Sequence, residues 1–503
     1  VSSAPPASLD PRPATNDQQF IQGIGPAAAI SLVVGSMIGS GIFIVSADIA
    51  RQVGAWGPGG LLLVWLVTGL MTMAGALSYA ELAAMLPKAG GQYVFLRDGL
   101  SKSAGFLYGW TLFMVIQTGT IAAVAVAFAR FLAVLVPSVT PDVWLPLGSL
   151  AMPGGTIELG LSNQRLVALV MIAFLTWVNM RGVEFGAKLQ TIFTVAKVGA
   201  LAALVALGLF VFRVPAAADL NRETFWGTAP WGLAMLPLVG AAMVGSLFSS
   251  DAWNNVTFAA AEVREPRKNL PRALALGTLL VSVLYILANF AYLNVLPFAG
   301  TPDGADAMAR GIQYASQDRV GTAALEVMFG AAGATVMAVA ILVSTFGCNN
   351  GLILAGSRVY YAMARDRLFF LERAGRLDPV TRTPTWGLIA QAGWAMVLCL
   401  TGTYGQLLDY VIFAALIFYL LTTVALFNFR RTQPDLPRPV KAFGYPVVPA
   451  LYILAIAFLL VVLLVDPEKR KFSAFGLVLV LLGLPVYLLW HRRGHGGLDH
   501  PDA

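Results

Sequence analysis

The feature that most constrains this 503-residue chain is a succession of long apolar runs separated by short polar segments. A helix that crosses a bilayer needs roughly 20 apolar residues. About twelve runs meet that demand, at 24–50, 59–86, 104–136, 164–181, 187–212, 231–260, 272–297, 322–360, 385–402, 407–429, 446–465 and 473–490. Backbone N–H and C=O groups find no water in hydrocarbon, so each run is expected to be a helix that satisfies its own polar groups. The third and eighth runs are long, which predicts helices that tilt or extend beyond the bilayer. Composition agrees: 58% of residues are hydrophobic and 12% charged, where a soluble domain carries about 25% charged residues. The chain reads as an all-α polytopic membrane protein.

Twelve spans put both termini on one side. With the termini inside, about 22 Lys and Arg fall in inner segments and about 10 in outer ones, the bias that orients membrane proteins. Arg264/Arg267/Lys268/Arg272, Arg365/Arg367/Arg373/Arg376/Arg382 and Arg430/Arg431/Arg438/Lys441 form the largest inner clusters. Segment 137–163 has neither residue type and fits an outer loop, whereas Lys469-Arg470-Lys471 falls outside, against the trend. The net charge of +7 is explained by these basic loops and does not call for nucleic acid. Residues 1–20, polar and rich in Pro and Ala, read as a disordered tail with no signal peptide, and 491–503 as a cytoplasmic tail.

Cys348 and Cys399 lie inside apolar runs, without disulfide or metal spacing. All three histidines stand in the C-terminal tail, which excludes a buried histidine relay. With no metal cluster and no serine–histidine pairing, the chain is not expected to be an enzyme and calls for no cofactor or metal.

Two runs are interrupted. The first contains Gly35-Ser36-Met37-Ile38-Gly39-Ser40-Gly41-Ile42-Phe43, and each glycine weakens a helix by about 1 kcal/mol relative to alanine. Gly35 and Gly39 have the i, i+4 spacing of a packing face. Gly41 lies off that face, so local unwinding accounts better for the cluster. The sixth run contains Gly245-Ser246-Leu247-Phe248-Ser249-Ser250-Asp251-Ala252-Trp253-Asn254-Asn255. An aspartate at membrane depth usually lines a pathway or a substrate site. Interrupted helices at corresponding positions of two halves point to a transporter's midplane site. Unwinding exposes N–H groups that favour a carboxylate and carbonyls that favour an ammonium, a combination suited to an amino acid. Lys197, mid-span in the fifth run, needs a partner or a function at that depth.

Gly39-Ser40-Gly41-Ile42-Phe43, Ala76-Leu77-Ser78-Tyr79-Ala80-Glu81-Leu82 with Pro87-Lys88-Ala89-Gly90-Gly91-Gln92-Tyr93, Ala252-Trp253-Asn254 with Glu262-Val263 and Asn269-Leu270-Pro271, and Ser357-Arg358 leading to Arg365-Asp366 together form a pattern. It resembles the amino acid–polyamine–organocation superfamily, and within it the L-type amino acid transporters and their bacterial counterparts. The resemblance implies a five-plus-five inverted repeat with discontinuous helices 1 and 6: residues 21–213 and 214–430, with two appended helices in 431–490. It implies that amides of Gly39, Ser40 and Gly41 hold a substrate carboxylate. Carbonyls of Ile38, Phe248 and Ser249 would hold its amine, and the Phe248 ring would close over it. Lys197 would tie Gly35 to Ser344 or Thr345 in the position of a sodium ion, which makes transport sodium-independent.

Asp251 departs from the glycine usual in L-type transporters. It would recognise a cationic substrate, carry a proton, or pair with a polar neighbour. Glu81, near the inner end of span 2, is expected to anchor a loop salt bridge. Segment 137–163 has no cysteine, so no disulfide-linked ancillary subunit is expected, and a bacterial inner membrane is the expected location. The function expected is sodium-independent secondary transport of amino acids by alternating access, as an exchanger; a proton-coupled amino acid or cationic amino acid/polyamine permease and a non-transporting amino acid sensor are the alternatives. A side-chain pocket is expected between spans 3, 6, 8 and 10, with Gln117, Asn254, Asn350, Phe413 and Phe418 as candidate lining.

Overall fold

A computed structural model describes residues 20–152, 155–401, 404–467 and 469–490. Apart from Phe20, the tails expected at 1–20 and 491–503 lie outside the described residues. Among the described residues, nine helices are long and apolar enough to cross a membrane. They are span 2 (Gly54–Met85), span 3 (Lys102–Leu135), span 4 (Asn163–Met180), span 5 (Val183–Val211), span 7 (Pro266–Val295), span 8 (Ala331–Arg365), span 10 (Val411–Thr432), span 11 (Val447–Val465) and span 12 (Arg470–Trp490). Span 9 is the shorter Thr385–Leu400. The remaining two are broken: span 1 into Pro26–Met37 and Val45–Gln52, span 6 into Leu236–Ser249 and Asn255–Phe258.

The two long runs have different explanations. Span 3 is continuous but contains a π-type turn at Leu112–Ile116, a feature often found near functional sites. The eighth run is two helices, because Gly330 turns the chain at φ +65° and separates Val320–Phe329 from span 8. The 35 residues of span 8 still make a helix of about 50 Å. The loop expected at 137–163 contains an antiparallel hairpin, β1 (Val143–Met152) with β2 (Gly155–Ser162), which apolar periodicity did not signal.

The bundle is arranged for lipid. Leu451, Leu454, Val461 and Val465 of span 11 are exposed, whereas Lys197, Gln190, Asn349, Asn350, Glu262 and Arg358 are buried. Buried charge in such a bundle must be paired. Arg358 of span 8 meets Glu262, just after span 6, in a two-pronged contact: Nε to Oε2 at 2.8 Å and Nη2 to Oε1 at 2.9 Å. Glu81 of span 2 accepts from Arg430 Nη2 at 2.5 Å and from the Ala442 amide at 2.7 Å, with Arg438 3.3 Å away. It therefore anchors the segment between spans 10 and 11, as the sequence suggested.

Candidate functional site

Helix Pro26–Met37 ends when Ile38 turns extended at φ −76°, ψ 95°. The Ile38 amide still donates to Val34, and the turn resumes with Phe43 N–H to Ser40 O and Ile44 N–H to Gly41 O. Gly39, Ser40 and Gly41 thus fall between two ladders, where amides can face a ligand. The glycine at 41 is required by close approach. A Cβ there would collide with the side chain of Ser249 and stand 3.0 Å from its Cα. The two breaks therefore touch.

Lys197 holds the first break from the side. Its ammonium donates to Gly35 O at 2.7 Å, Ile38 O at 2.7 Å and Ser344 O at 3.0 Å, using all three of its donors. The Ser344 hydroxyl lies 2.9 Å from Gly39 O and 3.1 Å from Ile38 O. Of the two candidates on span 8, Ser344 makes the tie. The Thr345 hydroxyl instead bonds Ile341 O of its own helix at 2.8 Å. Ile38, expected to offer its carbonyl to a substrate amine, has committed it to Lys197 in this conformation.

In span 6 the helix stops at Ser249, and Ala252 takes a left-handed conformation at φ +64° while only 6% exposed. That geometry is unusual for a residue with a Cβ, and it turns Asp251 toward span 10. There the Tyr419 hydroxyl donates to the Asp251 carboxylate. Trp253 and Tyr79 pack around Tyr419, their ring centroids 5.3 and 6.1 Å from it.

Asp251 and Tyr419 form the shared wall of two small cavities. One, of about 10 Å³, is lined from spans 3, 6, 8 and 10 by residues including Tyr108, Gln117, Asn254 and Leu352, with Gln92 from the connecting helix Gln92–Gly99. The other, of about 20 Å³, is lined by Thr72, Trp253, Leu416 and Tyr452, among others. Each suits about one water molecule. An amino acid does not fit either, so the site is closed in this conformation.

The first cavity is lined from the four spans expected of the pocket, with Gln117 and Asn254 in its wall. Asn350 does not: its amide is bound to Gln190 Oε1 at 2.9 Å and Gly186 O at 3.2 Å of span 5. Phe418 packs edge-on against Tyr108 at 5.3 Å, and Phe413 is buried outside both linings. Phe248 is buried and also lines neither cavity. Sequence reasoning missed Tyr419 and Tyr108, because one tyrosine in an apolar run carries no local signal. Gln92 stood in a quoted motif without a role; it accepts from Asn254 Nδ2 at 2.6 Å and donates to Thr422 at 3.0 Å.

The profile of the amino acid permease family matches residues 24–485. The large neutral amino acids transporter small subunit 2 of Mus musculus is 31% identical over 483 residues, covering 93% of this chain and 82% of the relative. The serine/threonine exchanger SteT of Bacillus subtilis (strain 168) is 30% identical over 487 residues, covering 95% of this chain and 99% of the relative. The b(0,+)-type amino acid transporter 1 of Mus musculus is 28% identical over 467 residues, covering 93% and 87%.

Proposed function

This chain belongs to the amino acid permease family, and from that premise we propose that it exchanges amino acids across a membrane without sodium. The observation that carries the reading is the Lys197 ammonium on three carbonyls of spans 1 and 8. A sodium ion about 4 Å from that fixed charge would be repelled by roughly 4 kcal/mol at an effective dielectric of about 20. The near-complete match to a bacterial exchanger supports exchange.

The substrate carboxylate goes to the amides of Gly39, Ser40 and Gly41, and its amine to the Phe248 and Ser249 carbonyls, with Ile38 held back by Lys197. Residues 21–213 and 214–430 form two inverted five-helix halves whose first helices are the broken ones, and alternating access rocks one part of the bundle against the rest. Both termini face the cytoplasm of a bacterial cell, on the Lys and Arg bias. With Cys348 and Cys399 both buried, the chain works without a disulfide-linked subunit.

Asp251 favours a second, narrower reading. A carboxylate on the wall of both cavities, bonded to a tyrosine hydroxyl, selects amino acids with a cationic side chain. Uptake of radiolabelled amino acids into sodium-free proteoliposomes tests both readings, with empty vesicles compared to vesicles preloaded with unlabelled amino acid. Exchange requires preloading. Equal uptake into empty vesicles that rises with an inward proton gradient would replace exchange by proton coupling. Binding without transport would make the protein a sensor.

A further inference from the structure

A cavity of about 220 Å³ lies away from the two breaks, between the end of span 3, the start of span 8 and residues 305–326. Its lining includes Asp306, Arg310, Arg319, Thr322 and Glu326. It is more than tenfold larger than the closed cavity beside Gln117.

Two of its groups lack what their burial demands. Thr322 is 9% exposed, and its hydroxyl is buried with no hydrogen-bond partner among the described residues. Such an unmet group costs about 1–3 kcal/mol. Arg319 is half-buried and makes no salt bridge within 4 Å among the described residues. Burial and then the like charge of Arg130 push its guanidinium below its ordinary pKa, with Glu326 opposing. Arg319 thus stands without a close counter-ion among the described residues, although Asp306 and Glu326 line the same cavity.

The backbone that presents Arg319 is strained and pinned. Gln317 and Asp318 both have positive φ, +53° and +60°, an arrangement that persists only where surrounding contacts impose it. Those contacts come from two spans. Arg51, at the end of span 1, donates to Asp318 Oδ1 and to Gln313 O, each at 2.7 Å. Arg130 of span 3 donates to Gln317 O at 2.8 Å. The segment bearing Arg319 is thus latched to the broken helix that carries Gly39–Gly41.

We propose that this cavity is a second amino acid site, in which Arg319 and Thr322 take the carboxylate and the Glu326 and Asp306 side takes the ammonium. The proposal rests on the reading of the protein as an amino acid carrier and adds a loading site at one mouth of the bundle. A guanidinium beside a hydroxyl donor suits a carboxylate, and carboxylates across the same cavity suit an ammonium. Because Arg51 joins the segment to span 1, occupancy there is coupled to the central break.

The test uses purified full-length protein in proteoliposomes and the amino acid that gives the highest counterflow signal. If no amino acid exchanges, the proposed function fails and the second site is not what has been refuted. Given exchange, Arg319→Ala and Thr322→Val are each expected to raise half-saturation about tenfold from the face bearing the cavity, with half-saturation from the opposite face unmoved. Arg319→Lys, which keeps the charge and loses the fork, is expected to fall between. Unchanged values in all three variants, or equal shifts from both faces, overturn the proposal. Inorganic phosphate supplies the competing arm. If phosphate raises half-saturation on the cavity face as much as an equal concentration of a second, unlabelled amino acid does, the site is a simple anion site and the proposal falls.

Discussion

Lys197 and Arg358 are both buried cations on helices that flank the breaks, yet they are neutralised differently. Arg358 is held by the Glu262 carboxylate through two hydrogen bonds, so the charge is cancelled where it stands. Lys197 has no carboxylate within salt-bridge distance among the described residues and relies on three backbone carbonyls. A carboxylate pair fixes two elements firmly, since losing either partner strands a buried charge. Carbonyl dipoles hold more weakly, and one of the three, that of Ile38, belongs to the unwound segment itself. The comparison separates a structural clamp after span 6 from an adjustable tie at span 1.

The largest effect is expected at the clamp. Arg358→Ala should destabilise the protein by about 3–5 kcal/mol, because Glu262 is left buried and unpaired. Thermal unfolding followed by size-exclusion chromatography in detergent reads this, and unchanged stability would remove the distinction. Lys197→Ala should leave the protein folded and slow exchange by about 10- to 100-fold, the scale of losing charge-assisted hydrogen bonds worth about 1.5–3 kcal/mol. Wild-type exchange rates in that variant would show that the tie does not matter for transport.

A sharper version of the comparison comes from Asp251, whose carboxylate accepts from the Tyr419 hydroxyl. Asp251→Asn is expected to lower exchange of cationic amino acids about tenfold and leave neutral ones nearly unchanged. Loss of pH dependence for every substrate would instead assign it to proton transfer. The smallest effect is expected at Ala252, whose φ of +64° glycine adopts at no steric cost. Ala252→Gly should stabilise the closed conformation by about 1 kcal/mol, read as a small rise in melting temperature. A fall would mean that the turn is not strained.

Much of the fold was legible because hydrophobic length alone specifies a spanning helix. The two breaks were legible because glycine, serine and an aspartate are costly in an apolar helix. The division of the eighth run at Gly330 was not, since one glycine among apolar residues does not reveal a turn. The hairpin at 143–162 lacks a period strong enough to announce itself.

By itself the sequence determined the membrane-spanning class, the positions of both interruptions, the buried lysine and the family pattern, because each is set by composition or local spacing. Tertiary structure decided which atoms meet. It chose Ser344 over Thr345, withdrew Asn350 and Phe418 from the pocket, brought Tyr419 to Asp251 and latched Arg51 to Asp318 across 267 positions. Those pairings depend on how helices rotate and pack against one another, and no window of neighbouring residues encodes that rotation.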